Sequence, residues 1–202
     1  MNSLDTAFDK RMEKQLQFIV ETDKIKNIMR KSKLFDGSRF ENDAEHSWTV
    51  CMMALLLKEY ADFPVNIERT LTMLLIHDIV EIDAGDTFLY SRERDDAHNR
   101  EQLAAERIFG LLEEDQKNRL LAAWTEFEER KTNEAKFAAV FDRLEPMLQN
   151  YMTQGYAWKK NNITYQMIIE KNRHIAEASE KIWEFTLKLL DKAVEKGYLC
   201  KA

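Results

Sequence analysis

Residues 74–81 combine an apolar helical pattern with side chains that bind metal ions or transfer protons. His77 and Asp78 are adjacent, and Glu81 follows about one helical turn later. At 3.6 residues per turn these side chains share a face with Leu74, which predicts that they point toward the core. An ionised carboxylate there is costly unless it is paired or bound to a cation. The pattern therefore indicates a metal site, and the alternative is a core histidine that hydrogen-bonds its neighbour.

Helical spacing predicts that a second histidine and a second aspartate also point toward the core. His46 and Asp142 fall on the apolar stripes of two other predicted helices. Taken separately, His46 could be a satisfied core residue and Asp142 could pair with Arg143. Together with the adjacent His–Asp pair, they supply two imidazoles and two carboxylates for one divalent metal ion. Mn²⁺, Co²⁺, Fe²⁺, Zn²⁺ and Mg²⁺ all accept such mixed ligands, so the residue types do not choose the metal.

The chemistry that such a site would support is hydrolysis. A bound divalent ion makes a coordinated water more acidic and polarises a phosphoryl oxygen. Glu81 and Asp86 are not needed as ligands, so we predict that they are catalytic groups that orient the water or carry a proton. Arg30 and Arg39 lie in a basic segment and are predicted to bind an anionic substrate, since guanidinium groups match phosphate oxygens. The alternative for this segment is solvated charge.

The elements that must position these groups are predicted to be helices. Five glycines and two prolines in 202 residues, without alternating β-branched runs, favour an all-α, single-domain helical bundle over residues 1–202. We predict helices at residues 4–33, 42–60, 99–112, 114–130, 132–154 and 164–196, and a loop at 158–162. A further helix is predicted to begin after Asn66, to include His77, Asp78 and Glu81, and to end before Gly85. His98 and His174 lie off the apolar stripes and are predicted to be surface residues.

Composition and charge narrow the kind of partner. The formal net charge of −6 argues against a nucleic acid polymer and leaves room for a small anionic ligand. The two cysteines have no partner at metal or redox spacing, which fits a reducing compartment. No stretch approaches the roughly 20 apolar residues of a membrane span. We therefore expect a cytoplasmic protein that does not associate with membranes and that acts on a small molecule.

The spacing of His46, His77-Asp78 and Asp142 resembles the H…HD…D signature of the HD-domain metal-dependent phosphohydrolases. Residues 39–48, 74–86 and 134–143 are similar to the branch that contains the bacterial 5′-deoxynucleotidases and their eukaryotic relatives. The similarity covers roughly residues 15–155, and we expect the helix at 164–196 to pack on that core. The resemblance implies an all-helical HD-type fold, a homodimer, and hydrolysis of deoxynucleoside 5′-monophosphates with one divalent ion.

Residue by residue, the resemblance implies a division of roles. The metal ligands of the family match His46, His77, Asp78 and Asp142, and the acids near the attacking water and the substrate match Glu81 and Asp86. The phosphate-contacting arginine corresponds to Arg30, with Lys31 as the alternative. The aromatic residue that follows this arginine in the deoxynucleotidases is absent, because Lys31 and Ser32 follow here. The resemblance therefore leaves the sugar preference open.

Two other functions remain compatible with the sequence. The chain could hydrolyse another phosphoester, such as a nucleoside triphosphate or a small phosphate that is not a nucleotide. It could also be a non-catalytic helical protein with a structural metal. Glu81 and Asp86 favour an enzyme, because a closed structural site gains nothing from two more carboxylates at its rim.

Overall fold

The computed structural model describes residues 9–86, 89–90 and 94–201, and helices dominate these parts of the chain. The helices are α1 Lys10–Thr22, α2 Asp43–Leu57, α3 Ile67–Ile76, α4 Glu81–Ala84, α5 Arg94–Phe109, α6 Glu114–Glu129, α7 Asn133–Met152, α8 Tyr156–Lys160, α9 Tyr165–Asn172 and α10 Glu180–Glu195. Two short strands, β1 Met29–Lys33 and β2 Phe40–Asn42, pair in an antiparallel hairpin. The predicted all-α class is confirmed.

Helix α7 is the centre of the bundle. It packs against α2, α3, α6 and the C-terminal α10. The larger core cluster joins Val50 and Leu74 of α2 and α3 to Phe137 and Phe141 of α7 and Leu190 of α10, all fully buried. A second cluster, centred on Ile108 and Phe109 of α5, packs under the segment that follows α3. Because α2, α3 and α7 contact one another, the three segments that carry the predicted ligands converge.

Local capping signals explain where these three helices begin. Asn42 and Glu45 form a capping box at α2: Glu45 N donates to Asn42 Oδ1 at 3.0 Å, and Asn42 N donates to Glu45 Oε2 at 3.2 Å. The side chains of Asn66 and Thr132 accept backbone N–H groups at the starts of α3 and α7. The predicted starts of all three helices are confirmed.

The first predicted helix is too long at its C-terminal end. Helix α1 stops at Thr22, a 3-10 turn covers Asp23–Asn27, and the basic segment then forms β1 and pairs with β2. The turn between the strands places Gly37 at φ +73, where glycine is favoured. The hairpin was missed because its pairing partner lies several residues away and no alternating pattern marks it. Residues 4–8 of the predicted helix lie outside the described residues.

The last predicted helix is divided in two. Helix α9 ends at Asn172, and α10 begins after Ser179. Ser179 Oγ accepts a hydrogen bond from Ile182 N at 3.1 Å and donates to the carbonyl of Tyr60 at 2.6 Å. This second bond joins the N-cap of α10 to Tyr60 in the 3-10 turn that follows α2, so a tertiary contact fixes the new helix start. Residues from both halves nevertheless enter the larger core, as expected for a C-terminal segment that packs on it.

The predicted loop at residues 158–162 is also partly helical. It overlaps α8, which ends at Lys160. The side-chain oxygen of Asn150 in α7 accepts the backbone N–H groups of Ala157 and Trp158 at 3.0 and 3.1 Å. These bonds satisfy first-turn donors that would otherwise be unpaired. None of the helices in the described part of the chain is long and apolar enough to cross a lipid bilayer.

Candidate metal centre

The His–Asp pair lies just beyond α3, not within it. The helix ends at Ile76, and the following turn has hydrogen bonds of the i to i+3 type, from Ile79 N to Ile76 O and from Glu81 N to Asp78 O. The predicted continuous helix through Glu81 is therefore interrupted. His77 Nε2 and Asp78 Oδ2 lie 3.2 Å apart, so both side chains reach the same cluster from this turn.

The structure brings the four predicted ligands together. His46 Nε2 lies 3.3 Å from Asp142 Oδ1, and His77 Nε2 lies 3.2 Å from Asp78 Oδ2. Across the cluster, His77 Nε2 is 3.7 Å from Asp142 Oδ1, and His46 Nε2 is 3.8 Å from Asp78 Oδ2. All four residues are buried. Two imidazoles and two carboxylates from α2, the turn after α3, and α7 thus surround one point.

These residues fit a single divalent ion. One ligand atom each from His46, His77 and Asp142 lies within 4.8 Å of the others. His77 Nε2 is buried and has no hydrogen-bond partner among the described residues, although it faces two carboxylates. A buried donor or acceptor without a partner is costly, and a cation would relieve that cost. Mixed imidazole and carboxylate ligands suit several divalent metals, so the metal's identity stays open.

Both histidines are held by their other ring nitrogen. His77 Nδ1 lies 2.8 Å from the carbonyl oxygen of Leu74. His46 Nδ1 lies 3.2 Å from Glu145 Oε2 and 3.9 Å from Glu41 Oε2, and both glutamates are buried. An acceptor at Nδ1 fixes the proton there and leaves Nε2 available for the cluster. Glu145 was missed from the sequence, and its position three residues after Asp142 on α7 is the signal that could have revealed it.

In the metal-free protein, the electrostatics of the cluster favour a protonated His77 beside an ionised Asp78. Burial opposes protonation of His77, but the charges of Asp78 and Asp142 outweigh it and raise its pKa to about 10. Burial likewise opposes ionisation of Asp78, but His77 and Arg30 hold its pKa well below the ordinary range. His77 therefore carries a proton at neutral pH in the metal-free protein, and a metal must displace it.

Glu81 and Asp86 border the same site without joining the cluster. Glu81 Oε2 is buried and has no hydrogen-bond partner within the described ranges. Burial and the charges of Asp78 and Asp43 raise the pKa of Glu81 well above its ordinary value. Burial also raises the pKa of Asp86, although the charge of Arg30 opposes this effect. A carboxyl group whose pKa is raised in this way beside a cluster of metal-ligand residues is a candidate for proton transfer.

The cluster opens into a cavity of about 540 Å³. This cavity has room for a small ligand. Its wall near the cluster includes His77, Asp78, Glu81, Asp86 and Asp142, its apolar wall includes Phe127, Met147 and Trp158, and its cationic residues are Arg30, Lys31, Arg130 and Arg143. Acidic, apolar and cationic groups thus face one space.

The two predicted anion-binding arginines differ in position. Arg30 Nη1 donates to Asp78 Oδ2 at 2.8 Å and to Asp43 Oδ1 at 3.1 Å, so the hairpin brings Arg30 directly against the cluster. Arg39 is exposed and pairs with Glu45, with Nη1 2.8 Å from Oε2, and it does not line the cavity. The structure therefore brings Arg30 to the site and leaves Arg39 outside it, because the nearby Glu45 provides its counter-charge.

The two histidines that were predicted to lie on the surface, His98 and His174, differ in exposure. The side chain of His98 is exposed, as predicted, but it lies at the cavity with Glu101 and Glu128. His174 is partly buried, so the prediction that it faces solvent is wrong. Burial and the charges of Arg130 and Arg143 lower its pKa to about 4, which keeps its ring neutral. The position of His174 off the apolar stripe of its predicted helix did not reveal that Arg130 and Arg143, from other parts of the chain, lie near it.

Comparison with known proteins identifies a family resemblance over most of the chain. A family model described as HD domain matches residues 22–183. The human protein named 5′-deoxynucleotidase HDDC2 (Homo sapiens) is 30% identical over 136 residues, which are 66% of this chain and 65% of that protein. The protein of the same name from Danio rerio is 29% identical over 140 residues, 68% of each chain. The match thus covers slightly less than two thirds of the human relative's length.

A solved structure matches nearly the whole chain. It is the crystal structure of a protein described as a "predicted metal-dependent phosphohydrolase" from Magnetospirillum magnetotacticum MS-1. The two chains are 47% identical, the TM-score is 0.91, and the match covers 94% of this chain and 96% of the other. This match is therefore longer than the span of residues 22–183 that the family model covers.

Proposed function

This chain belongs to the HD domain family, and we propose that it is a metal-dependent phosphohydrolase that cleaves (deoxy)nucleoside 5′-monophosphates into nucleoside and phosphate. The observation that carries the proposal is the buried cluster of His46, His77, Asp78 and Asp142 at the wall of a cavity of about 540 Å³. The names of the relatives support the nucleotide substrate. A closed structural metal site would not need this cavity.

The proposed ligands of one divalent ion are the four residues of the cluster. When bound, such an ion makes water more acidic and stabilises negative charge on a phosphoryl group. The protein must first orient the ligands, and it does so through Leu74 O behind His77 and Glu145 behind His46. The buried position of the cluster also limits the water that competes for the charged groups.

Proton transfer is assigned to the two acids beside the cluster. Hydrolysis of a phosphomonoester requires one proton to leave the attacking water and one to reach the departing oxygen. Glu81 lines the cavity, its raised pKa favours proton exchange, and its Oε2 has no hydrogen-bond partner within the described ranges, so we assign proton transfer to Glu81 at this atom. Asp86 also lines the cavity and becomes the assigned group if Glu81→Ala keeps full activity.

The proposal is tested by stripping the metal, reloading single divalent ions, and measuring phosphate release from deoxy- and ribonucleoside monophosphates. Phosphate release that depends on the metal is the expected result. His77→Ala and Asp78→Ala should lose bound metal and activity together, because each removes a ligand and leaves a buried charge. Asp83→Asn is the matched control, because Asp83 is exposed, pairs with Arg107 and lies outside the cavity wall.

The same assay separates the alternatives. Release only from nucleoside triphosphates or from small phosphates that are not nucleotides would replace the proposed substrate. Tight metal binding without turnover of any phosphoester would indicate a structural metal. If His77→Ala and Asp78→Ala keep both stoichiometric metal and wild-type turnover, the proposed ligand set is wrong.

The homodimer implied by the family resemblance is also part of the proposal. From Trp48 to Leu57, helix α2 is apolar at every position except Thr49, and its outer face exposes Trp48, Met52, Leu55 and Leu56. A helix of this kind is expected to be covered on both faces. Size-exclusion chromatography with light scattering should give a dimer mass for the wild type and a monomer mass for Leu55→Asp. A monomeric wild type would refute this part of the proposal.

A further inference from the structure

Arg143 follows the proposed ligand Asp142 on α7 and lines the cavity, but few groups of the protein compensate its charge. Its side chain is only 12% exposed. Its Nε is buried and donates no hydrogen bond to any described residue. The one carboxylate that pairs with it in the described chain is Asp142, whose Oδ2 lies 3.6 Å from Nε. This distance is too long for a good hydrogen bond.

Arg30 provides the contrast within the same cavity. Its side chain is 14% exposed, close to the value for Arg143, yet three carboxylates surround it. Asp78 and Asp43 accept its hydrogen bonds at 2.8 and 3.1 Å, and Glu41 lies 3.9 Å away. Nε of Arg30 is also buried without a hydrogen-bond partner in the described chain, so the two arginines differ in their counter-charges. Three carboxylates pair with Arg30, whereas only Asp142 pairs with Arg143 among the described residues.

The surroundings of Arg143 add to this imbalance. Asp142 directs its other oxygen, Oδ1, toward His46 and His77, so the carboxylate is shared with the cluster. A divalent ion bound to Asp142 would leave Arg143 with still less negative charge nearby. A buried guanidinium is stable only when its charge is paired and its donors are satisfied. An anion entering the cavity would meet both requirements.

We propose that Arg143 binds the phosphoryl oxygens of the substrate, and that Arg30 mainly holds Asp78 and Asp43 in place. The ligand class is a phosphate monoester, and inorganic phosphate shares the oxygens that a guanidinium fork recognises. The identity of the ligand as a substrate rests on the proposed function, but the binding of the anion does not.

The competing explanation is that Arg143 only balances the charge of Asp142. A lysine at this position would still supply a positive charge but not the paired donors of the guanidinium fork. The two explanations therefore differ in the behaviour of Arg143→Lys, and Arg143→Gln removes both properties. Arg119, an exposed residue of α6 outside the cavity wall, provides the control Arg119→Gln.

The experiment titrates inorganic phosphate calorimetrically into Mn²⁺-loaded and metal-free protein, with metal content measured on each preparation. Arg143→Gln should raise the Kd for phosphate by about 10- to 100-fold, as expected for loss of hydrogen bonds to a charged group. Arg143→Lys should keep its metal and show an intermediate Kd. Arg119→Gln should match the wild type.

Three outcomes overturn the proposal: a wild type that binds no phosphate, an Arg143→Gln variant within twofold of wild-type affinity, and an Arg143→Lys variant with both metal and phosphate affinity unchanged. The last would leave Arg143 as a counter-charge only. Because phosphate binding needs no turnover, weakened binding in a protein that hydrolyses no nucleotide would refute the proposed function and support this inference. Nucleotide hydrolysis by the wild type, together with unchanged phosphate affinity in Arg143→Gln, would support the proposed function and refute this inference.

Discussion

Replacing Glu145 tests whether the buried carboxylate behind His46 sets metal affinity. Glu145 Oε2 is the nearer of two acceptors at His46 Nδ1, at 3.2 Å against 3.9 Å for Glu41. Both glutamates and His46 are at most 1% exposed, so water cannot replace a lost acceptor without rearrangement. His77 differs from His46 in this respect, because its Nδ1 lies against the backbone carbonyl of Leu74. No side-chain substitution removes that acceptor.

The expected magnitude follows from this geometry. Loss of an outer partner of a metal-binding histidine typically weakens metal binding by about 10- to 100-fold. This factor corresponds to about 1.4–2.8 kcal/mol. Glu145→Ala should show the full loss. Glu145→Gln keeps an oxygen that can accept a hydrogen bond from His46 Nδ1–H, so its metal affinity should fall by less than about tenfold. Glu41→Gln leaves the nearer acceptor in place and should bind metal almost as the wild type does.

The assay is competition for Co²⁺ against a chromophoric chelator at fixed pH. Nitrogen-15 NMR of the metal-free protein gives a second measure, the protonation of the two ring nitrogens of His46. Equal metal affinity in Glu145→Ala and wild type would refute the assigned role. Equal losses in Glu145→Ala and Glu145→Gln would show that the negative charge matters and the accepted hydrogen bond does not.

Three further predictions concern catalysis, pH and stability. Glu81→Ala should keep its metal while kcat falls by about 10²- to 10⁴-fold, and a metal-free preparation under loading conditions would instead make Glu81 a ligand. Because the pKa of His77 is about 10 in the metal-free protein, metal affinity should rise by about tenfold per pH unit from neutral pH toward that value as protons are displaced, and a pH-independent affinity measured by calorimetry would contradict this. Gly155→Ala should cost about 3 kcal/mol or more in denaturant unfolding, because the added Cβ would lie 1.9 Å from Tyr198 O at φ +77. Gly197→Ala, at φ +67 with nothing within 4 Å of the added Cβ, should cost only about 1–2 kcal/mol, and equal losses would refute the steric argument.

Local signals explain why much of the fold could be predicted. Asn42 with Glu45, Asn66, and Thr132 form hydrogen bonds only a few residues along the chain, so the starts of α2, α3 and α7 are visible in the sequence. Gly85 ends α4 at φ +76, as its position suggested. The hairpin and the break after α9 depend on partners farther away, and the predicted helices ran through β1 and through that break.

The predicted ligand set shows the same division. Helical spacing was enough to propose His46, His77, Asp78 and Asp142, because each must point into the core whichever helix lies opposite. Whether they serve as metal ligands stays a prediction, as do the cytoplasmic location and the single domain over residues 1–202. The end of α3 at Ile76 was not visible in the apolar pattern, although His77 and Asp78 follow it directly and both reach the cluster.

The sequence by itself determined the residue types that can bind a cation, the caps that start the helices, and the helical faces that turn inward, because all three depend on neighbours within about two helical turns. Only the tertiary structure decided which charges meet. It placed Glu145 behind His46, surrounded Arg30 with carboxylates, left Arg143 with one carboxylate at 3.6 Å, and paired Arg39 with Glu45 outside the cavity. Electrostatic and hydrogen-bond energies depend on distance and burial, which the packing of helices and the hairpin sets.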